Sequence, residues 1–351
     1  MIGGLAQYPN LNARVRALAS YLISEEDWRA ILATQDLQSL LETLKEIPYG
    51  SIWSFPEQVS LPELGRFFDQ TLAKQYEKFV ATTAGAVREL LRELWRRFEL
   101  DNLKTILRRL AGGRTSWDEA LIILLRDSVL PISQLQQAGD LRTAADLLAN
   151  TIYGPPLASA LERYETEKTL FPVEVALDIS HWRRVWRAVG KLSGQDRNWA
   201  KRLVGRRLDV RNITWAFRYH LYYHLSEEEI INYTLPGGYR SNDRVLRDIA
   251  SGAGVQDVAT RVWGQEIPEF ADLAAEGPQE PLQALEVALA RFLCRQARES
   301  LIGYPFHLGI LLGYLSLKEW EAHDLTTMAE AKAVRLPLEE IEPCLVSFVR
   351  S

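Results

Sequence analysis

With 351 residues, 47% of them hydrophobic, the chain is long enough for two or three ordinary domains and apolar enough to bury sizeable cores. Its 41 Lys and Arg stand against 46 Asp and Glu, and the net charge of −5 offers no general attraction to phosphate backbones, which excludes nucleic acid as the default partner. Two cysteines, Cys294 and Cys344, are too few and too far apart for a disulfide framework or a zinc site and fit a reducing cytoplasm.

Taken in order, MIGGLAQYPNLNARVRAL lacks the apolar core of a signal peptide. Residues 11–47 read as two or three short amphipathic helices, with Ser24 as an N-cap before Glu25, Glu26 and Asp27. Pro48, Gly50, Pro56 and Pro62 mark a loop over 47–64. A long helix is expected over 64–111, interrupted near residues 82–85 and closed by Gly112-Gly113, and Ser116-Trp117-Asp118-Glu119 opens the next one. Tyr153-Gly154-Pro155-Pro156 reads as a loop before a polar helix over 157–170.

The basic run His181 to Arg187 is the notable charge cluster. Its plain reading is an amphipathic helix pair with Trp182, Val185 and Trp186 turned inward and the arginines solvated. Its functional reading is a protein-docking face of Trp182, Arg183, Arg184, Trp186 and Arg187, since Trp and Arg are favoured interface anchors; single-stranded nucleic acid ranks last. Gly190-Lys191-Leu192-Ser193-Gly194 is no phosphate-binding loop, because it lacks the GxxxxGK[ST] spacing. His220 and His224 share a helical face but suggest no third metal ligand, and no nucleophile or paired carboxylate points to catalysis. Catalytic, cofactor and metal residues are therefore all expected to be absent. Further loops fall at residues 235–239 and 276–279. The apolar stretch 301–317, broken by Pro305 and His307, is too short for a membrane span and is expected to be a buried soluble helix. Membrane contact would then come through a protein partner.

One pattern repeats. LDVRNITWAFRY at 208–219 places an acid, Asp209, three residues before Asn212 beside an apolar stripe. Glu99 and Asn102 repeat it 110 residues upstream, and Glu321 and Asp324 repeat it 112 residues downstream. A second element follows each at matched distance: Ser116 to Glu119, Ser226 to Glu229, and Pro337 to Glu340. Ser24 to Asp27 resembles this second element without its partner helix, so the chain is expected to begin partway through a unit and close with the last one. The expectation is an all-α fold of three related subdomains, 1–124, 125–235 and 236–351, with the N-terminal helices as candidates to pack on the C-terminal unit. For the six polar residues the first expectation is structural, fixing helix register by bonding to neighbouring backbone; lining a shared functional surface is the second.

FELDNLKTILR (98–108), LDVRNITWAFRY (208–219), the block from Tyr304 to Leu345 and LNARVRALASYLISEEDW (11–28) together resemble the C subunit of bacterial and archaeal V/A-type rotary ATPases, the counterpart of the AC39-like d subunit of the eukaryotic V-type enzyme. The resemblance implies three helical subdomains about a pseudo-threefold axis, forming a funnel. It implies a non-catalytic central-stalk rotor subunit, one copy per complex, peripheral on the cytoplasmic face of the membrane. Its partners would be the central shaft, of D/F type, and the membrane proteolipid ring, and the polar pairs become candidates to face the shaft. Having His323-Asp324 where the other copies have Asp101-Asn102 and Arg211-Asn212 counts against the Asn itself being required. A free-standing helical scaffold or adaptor is the alternative.

Overall fold

The computed structural model describes residues 8–51, 60–113, 122–235, 237–267 and 281–348. Every regular element among them is helical, with no strand, so the fold class is all-α. The expected elements around residues 116–119 and 276–279 lie outside the described residues.

The N-terminal helices are α1 (Tyr8–Ala19), α2 (Glu25–Ala33), α3 (Leu37–Glu46) and the single turn α4 (Pro48–Ser51), which occupies part of the stretch read as loop. Ser24 and Asp27 form a reciprocal capping box at α2, and Asp36 and Ser39 form one at α3. The long helix divides into α5 (Leu61–Thr82) and α6 (Gly85–Ala111) at the expected break, and Gly112 is the C-cap of α6. Then come α7 (Ile132–Gln137), α8 (Leu141–Leu148), α9 (Gly154–Glu167) and α10 (Phe171–Lys191). Helix α9 begins at Gly154, inside the expected loop, because Pro155 and Pro156 fall in its first turn, where a missing N–H costs nothing. The remaining helices are α11 (Gly194–Leu221), α12 (Glu227–Asn232), α13 (Asp243–Ala250), α14 (Val255–Trp263), α15 (Pro281–Glu299), α16 (Gly309–Ala333) and α17 (Leu338–Ile341).

The stretch 301–317 is not one helix. Residues 300–308 form turns and α16 starts at Gly309, since Gly303 takes a left-handed φ of 90° and Pro305 removes a backbone donor.

Two compact units emerge. The first comprises residues 1–68, 193–232 and 237–351; the second comprises 69–192 and 233–236. In the first, Trp28, Ile31, Leu40 and Leu44 of α2 and α3 share a core with Leu325 and Met328 of α16 and with Ile341, Leu345 and Phe348. Helices from the two chain ends thus bury one another's apolar faces. Helices α11, α15 and α16 also pack together in this unit. Arg202 reaches Glu299 at 2.8 Å and Arg218 holds Glu286 through two bonds of 2.7 Å, a ladder that sets α15 antiparallel to α11.

The second unit is built on α6 and α10. Leu103, Ile106 and Leu107 of α6 meet Val173 and Leu177 of α10, with Leu148, Tyr153 and Leu157 completing the core. Ion pairs run along this antiparallel seam: Glu89 with Lys191, Glu93 with Arg184, Lys104 with Asp178, and Arg108 with Glu174, at 2.6–3.1 Å.

Candidate functional site

All six residues of the repeated polar pattern are buried, with relative exposures of 0–4%. A helix side chain so deeply buried must find hydrogen-bond partners, because a lone polar group there costs roughly 1–3 kcal/mol. Each pair finds them largely in backbone that is not helical.

In the second unit, Asn102 donates from Nδ2 to the Ile123 carbonyl and accepts the Ile123 N–H at Oδ1, both at 2.8 Å. Glu99 accepts the Val129 N–H at 2.7 Å and the Tyr153 hydroxyl at 3.0 Å. Burial, then the nearby Glu99 carboxylate, pushes the Tyr153 phenol well above its ordinary range, so it remains a donor. Helix α5 grips the same segment: Gln70 accepts the Leu124 N–H and donates to the Leu124 carbonyl, and Glu77 accepts the Arg126 N–H. Side chains of two helices thereby supply backbone bonds that this irregular stretch does not make for itself.

In the first unit, Asp209 accepts the N–H groups of Tyr239, Arg240 and Ser241 at 2.8–2.9 Å and the Ser241 hydroxyl at 2.7 Å. Burial raises its pKa, while these bonds pull it back toward the ionised form. The segment can approach so closely because residue 238 is glycine: a Cβ there would lie 2.5 Å from Asp209 Oδ1, and its φ of 143° suits no L side chain. Asn212 is buried on the same helix.

The third pair is acidic at both positions. Asp324 accepts the N–H groups of Val346 and Ser347 and the Ser347 hydroxyl. Glu321 accepts the Ile23 N–H at 2.6 Å and pairs with Lys318 at 2.7 Å, one helical turn back. Burial pushes the Glu321 carboxyl up and the Lys318 ammonium down, each opposed by the other's charge. The ammonium also sits 3.9 Å from the Tyr49 ring centroid. Ile23 immediately precedes the capping box of α2, so the third pair holds the start of the chain.

Related helices also pack in register. The Asp196 carboxylate accepts the Leu308 N–H at 2.8 Å, and Arg207 binds Glu319; both links span 112 residues, the offset between Asn212 and Asp324. Helices α11 and α16 therefore lie side by side and parallel. Beyond α6 and α16 left-handed residues stand directly after the C-cap, Gly113 and Arg335, with φ of 63° and 57°, and beyond α11 one stands a residue further on, His224, with φ of 50°. Glycine adopts this conformation without steric cost; His and Arg do not.

Of the expected docking face, Arg183 and Arg187 are exposed on α10, and Trp186 is half-buried. Trp182 lies in the core at 5% exposure, and Arg184 is held by Glu93 at 3.1 Å and by Ser180. The five are thus split between core and surface. Among the described residues no group of His, Cys, Asp and Glu could hold a metal ion, and no helix is long and apolar enough to cross a membrane.

Sequence reasoning missed Lys318, Gln70 and Gly238. Lys318 stands three residues before Glu321, a spacing that puts both on one helix face, and Gly237-Gly238 signalled a special turn. Gln70 gave no signal, for its partner lies 54 residues away.

Known proteins match nearly the full chain. The chain is 25% identical to the C subunit of an A-type ATP synthase from Methanocaldococcus jannaschii, over 99% of this chain and 88% of that protein. It is 26% identical to the C subunit of an A-type ATP synthase from Methanothermobacter thermautotrophicus, over 93% and 83%. It is 27% identical to the C subunit of a V-type ATP synthase from Deinococcus radiodurans, over 95% and 90%. The profile of the ATP synthase (C/AC39) subunit family matches residues 11–343, and this chain belongs to that family.

Proposed function

We propose that the protein is a non-catalytic rotor subunit that couples the rotating central shaft of a V/A-type ATPase or ATP synthase to the membrane proteolipid ring. The observation that carries this reading is the match of nearly the whole chain to the ATP synthase (C/AC39) subunit family. On this reading it is peripheral, on the cytoplasmic face, with one copy in each complex.

A torque transmitter needs stiffness and adhesion, and the geometry supports both. Helices α6, α11 and α16 have 27, 28 and 25 residues, and their ion-pair ladders resist sliding. The parallel, in-register packing of α11 and α16 is what neighbouring subdomains related by a rotation axis would show, and supports a funnel of three repeats over 1–124, 125–235 and 236–351. For adhesion, Leu221, Tyr222, Tyr223, Val334 and Leu336 are exposed at and beyond the C-terminal ends of α11 and α16, while Ile302 and Tyr304 are exposed ahead of the N-terminus of α16. Apolar groups at both ends suit a body held between two partners. The acids of the three pairs then tie each repeat to a segment of another, Glu99 to Val129, Asp209 to residues 239–241 and Glu321 to Ile23, and the shaft meets other surfaces.

Fractionation tests the proposal. The protein is expected to sediment with membranes that contain the proteolipid ring and to stay in the supernatant when the ring is absent. Equal binding to protein-free liposomes would overturn it. Recovery of a stable complex lacking both shaft and ring subunits would favour the adaptor reading instead.

A further inference from the structure

The second unit carries a cleft of about 1080 Å³. Lys74 and Lys78 of α5 line it one helical turn apart, and so do Arg88 and Arg92 of α6; all four are exposed. Arg96 and Arg126 line it as well, against two acids, Glu77 and Asp127. Glu77 already accepts the Arg126 N–H, and Arg96 is engaged by Glu93. The lining is therefore strongly cationic within a chain of net charge −5.

Its floor is apolar. Ile122 and Trp95 are buried in it, while Leu124 and Val129 stand 76% and 42% exposed, held there by the Gln70 and Glu99 bonds to their backbone. The Trp95 indole N–H is buried without an acceptor among the described residues, so the floor adds a donor. Exposed Leu124 and Val129 in a cation-lined cleft mark a surface open to a partner.

We propose that this cleft is a docking site for an acidic amphipathic helix of a partner protein. The cations form two rows at one-turn spacing on separate helices, so they match acids along both flanks of a helix whose apolar face meets Leu124 and Val129. A compact phosphate would engage the cations but leave the exposed Leu124 and Val129 uncovered.

The test uses the full chain and a dye-labelled synthetic amphipathic peptide about five helical turns long, with Leu on one face and Glu on both flanks. Anisotropy is expected to show binding that weakens with added salt, and no binding of the peptide with Lys in place of Glu. The Lys78→Glu/Arg92→Glu variant is expected to raise Kd at least roughly tenfold. Leu124→Glu should weaken binding through the floor without touching either charged row, so failure of one variant to fold leaves the other decisive. Absence of binding, equal binding of a scrambled peptide of the same composition, or indifference to both variants overturns the proposal. Binding of tripolyphosphate or phosphatidylglycerol vesicles, without the acidic helix, overturns it in favour of a compact anion or a lipid. Membrane retention by the proteolipid ring is independent of all these outcomes.

Discussion

In the second unit Asn102 meets both the N–H and the carbonyl of Ile123, whereas in the first unit its counterpart Asp324 meets N–H groups and a hydroxyl. An amide can donate and accept; an ionised carboxylate only accepts. The residue at this repeated position thus follows from the polarity of what it grips. The acids three residues earlier differ in the same spirit. Glu99 has Arg96 at 3.9 Å, with 18% of the Arg side chain exposed, while Glu321 and Lys318 are sealed together at 5% and 4%. One job is done by a buried carboxylate whose cation reaches toward solvent in one place and by a fully buried ion pair in the other.

Breaking that ion pair should have the largest effect. Lys318→Met leaves Glu321 charged and unpaired in the core, which should cost about 3–5 kcal/mol in urea unfolding. Arg96→Met, at its nearest counterpart, should cost about 1 kcal/mol or less. Equal losses would erase the distinction between the two clamps.

Exchanging the gripping residues sharpens the comparison next. Asn102→Asp sets a carboxylate oxygen against the Ile123 carbonyl and should cost about 2 kcal/mol. Asp324→Asn keeps one oxygen for the N–H groups and should cost about 1 kcal/mol. Chemical denaturation of both variants gives the ranking, and the reverse order would refute the polarity argument.

The helix ends offer a smaller effect of opposite sign. His224→Gly and Arg335→Gly should each stabilise the protein by up to about 1 kcal/mol, placing at each left-handed position the residue type that Gly113 supplies beyond α6. A loss of stability at either would mean that the side chain makes contacts worth more than the strain.

The smallest effect is a pH dependence that belongs to the third clamp. The hydrogen bond that the His323 ring donates to the Asp324 carboxylate, at 3.2 Å, holds the imidazole above its ordinary pKa of 6.5. A raised folded pKa means that the folded state favours the proton, so the contribution is full below pH 6.5 and disappears as pH rises through the folded value. With 51% of the side chain exposed, screening limits it to about 0.5 kcal/mol. The Tm difference between the native protein and His323→Gln should therefore be present near about pH 6 and absent near about pH 9. A pH-independent difference would assign it to packing.

Much of this was legible in the chain itself. Helix class, the break between α5 and α6, the Ser24 cap and the repeat at 102, 212 and 324 follow from period, turn residues and spacing, all of which are local. The repeat even marked which polar residues mattered, because an acid and an amide beside an apolar stripe must be satisfied somewhere. Where they are satisfied was not legible. Asn102 bonds 21 residues away and Glu321 bonds 298 residues away, and no local pattern encodes a partner at that distance. The split of the docking run was equally hidden, since Arg184 is tied down by Glu93, 91 residues earlier.

The sequence alone determined that this is an all-helical protein with a threefold repeated polar pair, because amphipathic period and capping are properties of neighbouring residues. Tertiary structure decided what those pairs do: they hold irregular, non-helical backbone where helices from distant parts of the chain meet. It also decided why Asp replaces Asn in the third copy, for the donors and acceptors each residue faces exist only once the chain has folded.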